Sequence, residues 1–525
     1  MNKDIINCRP DPLALPDWKP GFDFRWRDAL ELFLYVGVVV IFSIEGSIRF
    51  EEFWRERYVI VSLAVIGIWR YSWWLLHLIR ALIYHFYVFP KIRVRSDRLW
   101  AGGWRPEQII FMVCSYKEQY KVTEKMCLGI IRNLRNLGIP GQIYISGTEN
   151  DEKQIEAVFR HYAPDDDIKI IFIRQRIPDK RIAIGQLLRS VSRHTPRADV
   201  PVVFMDGDTA IAPGCLRKCV PLFELFPDVH ALTTHEKAVV EGNMFFQKWF
   251  DLRFAQRHMQ FQSMALSGKV LTLTGRLSVF RAVKVLSEEF ISTIENDSLS
   301  HWLWGSFRFL SGDDKSSWYA LVKQGARMLY VPDAMAYTMD KVEGNTFFRI
   351  WRNTLRWSGN SLRNSGRVIA MGPRKVGLFT WWCLVDQRLS TWTCLSGPLA
   401  ILGVALVKSP YSALAFVLWI FISRFCFSCV LFFYGGRIDM TFPFLLYFNQ
   451  LVTASGKMYI LFRLPLQRWT NRSDVEYDGA GNLFKHVVAM YITILALSAL
   501  ILFVGLYTRV ISFPEWQSVR IMLGM

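Results

Sequence analysis

The apolar residues of this 525-residue chain are gathered toward its two ends. Long apolar runs lie before about residue 89 and after about residue 372, while residues 104–340 have an ordinary globular composition. A run of about 20 apolar residues crosses a bilayer as a helix. The pattern therefore predicts a soluble domain spliced between membrane segments. A hydrophobic content of 52% with mean hydropathy +0.18 is too high for an ordinary soluble enzyme.

Spans are expected at 29–44, 58–89, 378–407, 413–434, 442–462 and 484–507. A polar loop with Arg49, Glu51, Glu52, Arg55, Glu56 and Arg57 separates the first two. The second run is too long for one simple span and is expected to continue as a helix beyond the bilayer until Pro90 ends it. The basic block Lys91, Arg93, Arg95 and Arg98 then marks the cytoplasmic side. The resulting divisions are a polar N-terminal segment at 1–28, two spans at 29–90 and a cytoplasmic domain at 91–345. Interfacial amphipathic helices at 346–375, C-terminal spans at 376–510 and a tail at 511–525 follow. The polar start and the long first apolar run predict that no signal peptide is cleaved.

The net charge is +18. Cytoplasmic loops beside spans collect Lys and Arg, and contact with membrane lipids adds a reason. No nucleic-acid motif accompanies the charge, which argues against a nucleic-acid partner. The nine cysteines lack metal-ligand spacing and read as reduced, structural residues.

Inside the middle region short strands alternate with helical stretches. Residues 108–114, 142–146, 168–173 and 201–205 read as strands, and 122–137 and 181–194 as helices. This alternation predicts a mostly parallel sheet with its ligand at the strands' C-terminal ends. Two polar elements fall there: Ser115-Tyr116-Lys117-Glu118, and Asp206-Gly207-Asp208. The paired carboxylates follow the buried strand 201–205, which holds them rigidly. Two hard oxygen donors suit Mg²⁺ or Mn²⁺, and such a cation suits a diphosphate. An Asp-Gly-Asp surface turn is the plainer alternative.

Two further elements follow in order. Ser311-Gly312-Asp313-Asp314-Lys315 supplies adjacent carboxylates, with Asp314 placed to act as a base and Asp313 beside it to raise its pKa by like-charge repulsion. Ser311 or Asp313 could equally cap a helix over 316–322. Arg352-Asn353-Thr354-Leu355-Arg356-Trp357 supplies a planar donor fork and a flat indole. A membrane-surface Arg with a belt Trp would read the same way.

The three elements together resemble the processive family 2 glycosyltransferases, the cellulose, hyaluronan, chitin and alginate synthases. Their pattern is DxD, then TED or GDD, then QxxRW. Asn353 stands here in the Gln position, while Arg356 and Trp357 are in place. The closer resemblance is to the alginate polymerase (mannuronan synthase) subfamily. It is carried by residues 67–72 with His77 and Arg80, 311–318, 356–363, and Asp386-Gln387-Arg388 through Trp392.

This resemblance implies a GT-A-type α/β domain inserted between transmembrane helices, and an inverting transferase. Asp314 and Asp313 would be catalytic. Asp208 would be the metal ligand, with Asp206 in its shell or on the ribose. Ser115, Tyr116, Glu118 and Arg356 would bind the nucleotide-sugar donor. Either Glu149 or Asp151 would face the nucleotide, and Lys180 with Arg181 would meet the phosphates or stay solvated. Trp357 would bind the acceptor. GDP-mannuronate is the implied donor, β-1,4-polymannuronate (alginate) the product, and a c-di-GMP-binding co-polymerase the partner, at a bacterial inner membrane. Hyaluronan-like or β-glucan synthesis, or an inactive transferase serving as scaffold, are the alternatives. Charges inside spans usually face a polar interior. Arg70, Arg80, Arg424 and Lys457 are therefore candidates for a translocation path shared with the nascent polysaccharide, with His77, Asp386 and Arg388 as further span charges.

Overall fold

The computed structural model describes residues 25–48, 57–176, 178–194, 196–407, 411–466, 483–508 and 510–511. Arg49, Glu51, Glu52, Arg55 and Glu56, most of the N-terminal segment and nearly all of the C-terminal tail lie outside the described residues. The chain forms two compact units. One holds Leu78–Trp382, and the other holds Asp23–His77 and Cys383–Leu466 with the C-terminal helix.

The first unit is built on an eight-stranded sheet of order β3-β2-β1-β4-β7-β6-β10-β5. Its strands are β1 (Ile109–Cys114), β2 (Gly141–Gly147), β3 (Ile168–Arg174), β4 (Pro201–Asp206), β5 (Thr209–Ile211), β6 (Val229–Glu241), β7 (Leu277–Arg281) and β10 (Arg327–Lys341). A separate hairpin pairs β8 (Ser298–His301) with β9 (Gly305–Arg308). β1 to β4 pair in parallel, as the βαβ alternation predicts. β7 runs antiparallel to both β4 and β6, and β5 antiparallel to β10. The sheet is therefore mixed. β1 and β4 are almost wholly buried, which explains their continuous apolar lettering.

Helices flank this sheet: α3 (Phe89–Ala101), α4 (Tyr120–Leu137), α5 (Glu149–Tyr162), α6 (Lys180–Arg193), α7 (Met244–Ala265), α8 (Glu288–Asn296), α9 (Asp313–Lys323) and α10 (Thr346–Ala370). α9 begins at Asp313, with Gly312 as a left-handed N-cap and no side-chain cap, so neither Ser311 nor Asp313 is a capping residue. α10 covers the expected interfacial stretch, yet Asn353, Thr354, Ser358, Asn360 and Arg363 on it are buried. It thus packs one polar face into the protein.

Pro90 does not end a helix. A five-residue π-helical segment, Tyr84–Val88, leads directly into α3, and Pro90 occupies the first turn of α3. A proline is tolerated there because its missing N–H and its ring meet no preceding helical partner in regular register.

In the second unit α1 (Trp26–Ile48), α2 (Arg57–Ile83, whose first part lies here), α12 (Tyr411–Gly435), α13 (Phe442–Leu461) and α14 (Leu483–Tyr507) follow the expected spans; α11 (Leu378–Val407) begins in the first unit and continues here. Among the described residues three helices are long and apolar enough to cross a membrane: Leu378–Val407, Phe416–Gly435 and Leu483–Tyr507. Tyr35 of α1 packs edge-on to Phe425 of α12 at 4.3 Å and donates to the carbonyl of Asp439.

A candidate active site at the ends of the parallel strands

The site grows from the two strands whose lettering is most apolar. β1 ends at Cys114 and β4 at Asp206, side by side. The amide of Gly207 donates to the carbonyl of Cys114 at 2.9 Å, which presses the Asp-Gly-Asp turn against Ser115. A Cβ at position 207 would lie 2.7 Å from the Ser115 Cα, so glycine is required by space. The surface-turn alternative fails here, because Gly207 is buried and Asp206 and Asp208 are only partly exposed.

Lys180, the first residue of α6, ties this turn to the second acidic element. Its Nζ lies 2.7 Å from Asp206 Oδ1 and 2.9 Å from Asp313 Oδ2. Burial alone would lower the ammonium pKa, but Asp206 and Asp313 overcome it and hold Lys180 above its ordinary value. Asp313 mirrors this: burial would raise it, yet Lys180 and Arg181 hold it below the usual carboxylate range. Asp314 goes the other way. Burial, then the Asp313 charge, raise its pKa. One oxygen of Asp314 accepts from the Lys315 amide at 2.8 Å. Two adjacent carboxylates thus have opposite environments, one neutralised and one left basic.

The carboxylates at the strand ends repel one another. Burial, then Asp206, push Asp208 up to about 7. Burial, then Asp208 and Asp151, push Glu118 up to about 8. Hard oxygen donors crowded in this way suit a divalent cation. Among the described residues no three His, Cys, Asp or Glu side chains close into a cation cage. A cation held by Asp208 and Asp206 would complete its shell with oxygens from elsewhere.

Asp151 and Arg181 are organisers. The buried Asp151 carboxylate accepts from Thr148 N at 2.8 Å, Thr148 Oγ1 at 2.6 Å, Lys117 N at 3.1 Å, Glu118 N at 3.3 Å and Ser115 Oγ at 3.4 Å. It shapes the Ser115–Glu118 turn, where Lys117 has a positive φ of 57°. Tyr116 is half-buried in that turn. Glu149 is exposed and pairs with Lys153 at 2.9 Å. Arg181 is fully buried and donates to the carbonyls of Ile294 and Ser311 at 3.0 Å and to Ser316 Oγ at 2.9 Å. It braces the loop before α9 and is not a solvated charge.

α10 brings up the third element. Asn360 meets the Asp313 loop: a Cβ on Gly312 would lie 2.6 Å from Asn360 Cγ, and Ser311 Oγ donates to Asn360 Oδ1 at 3.0 Å. Arg356 donates to Asn353 Oδ1 at 3.4 Å. Burial, then Arg276, lower the Arg356 pKa against the opposing pull of Asp314, Asp340 and Asp313, which places its charge among those groups. Trp357 is half-buried and stacks on Trp249 of α7 with centroids 5.8 Å apart.

Chain comparisons agree with this geometry. Residues 106–360 match the family model described as glycosyltransferase like family 2. Two curated relatives are similar over most of the chain. The glycosyltransferase alg8 of Pseudomonas syringae pv. tomato is 39% identical over 80% of this chain and 85% of its own. The glycosyltransferase alg8 of Azotobacter vinelandii is 37% identical over the same shares. The chain belongs to the alg8 glycosyltransferases of family 2. Its first unit has the GT-A-like fold expected of that family. A solved mannosyltransferase, PcManGT from Pyrobaculum calidifontis in complex with GDP-Man and Mn²⁺, is 15% identical with a TM-score of 0.46, covering 78% of this chain and 99% of that one.

Several groups of this family 2 site escape a reading of the sequence. The buried Glu236 of β6 pairs with Arg257 at 3.0 Å and Arg276 at 3.1 Å and accepts from Thr274. Burial would raise it, but Arg257 and Arg276 hold it low. Arg276 in turn sits within the field of Asp208 and Asp206. Asp340, at the end of β10, pairs with Arg349. The one available signal is Gly275-Arg276 at the start of a strand, where Gly275 leaves room beside Asp206 Oδ2, 3.1 Å from its absent Cβ.

The candidate span charges divide. In the second unit Arg70 pairs with Asp386 at 2.8 Å, Lys457 donates to the Gln387 carbonyl at 3.2 Å, and Arg424 donates to Gln450. His77 faces Cys383 at 3.8 Å. Arg388 is half-buried on α11. Arg80 belongs to the first unit, where it donates to Ser263 O at 3.1 Å and Ser267 Oγ at 2.7 Å and lies over Phe379. It fastens the end of α7.

Proposed function

We propose that this chain is a processive, inverting polymerase that joins mannuronate units from GDP-mannuronate into β-1,4-polymannuronate, and passes the polymer across a bacterial inner membrane. The observation that carries the catalytic part is the Lys180 bridge. It joins the Asp206 turn to the Asp313 loop and leaves Asp314 as the basic member of its pair. The alg8 relatives support the choice of sugar, through the alginate polymerase resemblance of residues 67–72, 311–318 and 356–363.

In this reading Ser115, Tyr116 and Glu118 receive the nucleoside, with Asp151 fixing their turn from behind. Asp206 and Asp208 would hold Mg²⁺ or Mn²⁺, which when bound would supply positive charge to neutralise the diphosphate of the leaving group. Lys180 keeps Asp206 aimed, and Arg356 adds a donor fork toward the phosphates. Trp357, backed by Trp249, seats the terminal sugar of the acceptor. Asp314 takes the proton of the acceptor hydroxyl as its oxygen bonds to the donor C1, and the C1–O bond to phosphate breaks with its electron pair leaving on GDP. Positioning holds hydroxyl and C1 in reach of each other. Arg70, Arg424 and Lys457 favour passage of a polyanion through the second unit, since charges within spans usually face a polar interior. Multi-pass insertion with the catalytic domain in the cytoplasm, and control through a c-di-GMP-binding co-polymerase, complete the reading.

The test offers GDP-mannuronate, UDP-glucose, and UDP-glucuronate with UDP-N-acetylglucosamine, each separately, to purified protein with its co-polymerase. Acidic polymer is expected from GDP-mannuronate alone. Polymer from UDP-glucose with none from GDP-mannuronate would overturn the assignment.

A further inference from the structure

α7 presents more cationic groups to the site than the transfer reaction described above uses. Arg253 and Arg257 are four residues apart on this helix and share a face. Arg257 and Arg276 are engaged with Glu236. Arg253 reaches the aromatic wall. Its guanidinium carbon lies 4.6 Å from the ring centroid of Trp357 and 4.9 Å from that of Trp249. Burial, then the Arg276 charge, lower its pKa to about 10, so it remains cationic at neutral pH. A guanidinium is thereby fixed beside the indole that seats the acceptor, and within the field of Arg276, which in turn feels Asp208 and the Arg356 charge near Asp314.

The chemistry of the acceptor gives this placement a purpose. A neutral sugar offers only hydroxyls, which need no cation. A uronate carries its carboxylate on C5, the neighbour of the C4 that bears the attacking hydroxyl. A planar guanidinium can grip a carboxylate through two parallel hydrogen bonds, which fixes orientation as well as position. Gripping the carboxylate would thus also set the adjacent hydroxyl. We propose that Arg253 is a specificity-determining residue for the acceptor: its guanidinium binds the carboxylate of the terminal sugar seated against Trp357, so that the site extends an acidic chain in preference to a neutral one. The assignment rests on the polyuronate reading above and adds to it which residue reads the acid group.

The experiment uses full-length protein and its Arg253→Gln and Arg253→Lys variants, with GDP-mannuronate as donor. Transfer of a labelled sugar is measured onto a β-1,4-mannuronate oligosaccharide and onto its carboxyl-reduced counterpart. The wild type should prefer the acidic acceptor about 10- to 100-fold in kcat/KM, the range for one charge-assisted hydrogen-bonding group. Arg253→Gln should abolish that preference through the acceptor KM, with the donor KM little changed. Arg253→Lys, which keeps the charge and loses the fork, should recover part of it. A structural role would depress transfer to both acceptors alike, and that result, or an intact preference in Arg253→Gln, overturns the assignment. Wild-type protein inert toward GDP-mannuronate overturns the functional reading itself, and the Arg253 assignment with it.

Discussion

Replacing Lys180 by Met keeps the volume of the side chain and removes the charge between the buried Asp313 and the half-buried Asp206. At 2.7 and 2.9 Å, each ion contact is about 6 kcal/mol of Coulomb attraction at an effective dielectric constant near 20. Desolvation of the ammonium offsets much of this. The net loss on removing one partner of a buried pair is about 3–5 kcal/mol, because the remaining charges are left unmatched. The pH dependence follows from the same groups. Asp313 is held below its unfolded value in the native protein, so its contribution to stability is present above about pH 4 and is lost as pH falls through its folded pKa. Without Lys180 the buried Asp313 carboxylate loses the first of the cations that hold it low, and its burial then destabilises the fold wherever it must ionise. The gap between wild type and Lys180→Met should therefore be widest near neutral pH and close below about pH 4. Denaturant unfolding of the full-length protein in detergent, followed at pH 7.5 and pH 4, measures it. A gap below about 1 kcal/mol at neutral pH, or one that does not change with pH, would refute the idea that Lys180 joins the two acidic elements.

Two further outcomes separate the proposed roles. Asp208→Ala should weaken GDP and metal binding. Asp314→Asn should bind donor normally, slow transfer by about 10²–10⁴, and remove an acid limb that lies above the ordinary carboxylate value; equal loss of GDP affinity in both variants would reject the division. Gly207→Ala should lower both stability and donor affinity, because its Cβ meets the Ser115 backbone at 2.7 Å; unaltered GDP binding in titration calorimetry would show that the two turns yield freely.

The strands, the turn residues and the three acidic or basic elements were legible because each is local. An apolar run that ends in Asp-Gly-Asp reads as a buried strand feeding a site whatever surrounds it. The reversal of β7 was not legible, since period-two lettering carries no direction. Glu236, Arg276 and Arg253 were hidden for a related reason. Each is an ordinary charged residue in its own segment, and only the β4-β7-β6 pairing and the packing of α7 bring them beside Asp208 and Trp357. Pro90 misled because a proline stops a helix only when its ring meets a regular preceding turn, and the π-helical segment before it changes that turn. Arg80 reads as a span charge by position, yet its partners Ser263 and Ser267 lie far along the chain.

The Asp151 carboxylate grips the first turn of the site largely by backbone amides, those of Lys117 and Glu118, from a different loop. The shape of that turn is thus encoded separately from its lettering. Side chains at 116 and 118 can change without reshaping the cradle as long as the backbone amides remain, while the left-handed φ at Lys117 restricts what can stand there. Under the proposed reading, single substitutions at 116 or 118 would change what faces the nucleoside while leaving the turn in place, whereas replacement of Asp151 would disturb the turn itself.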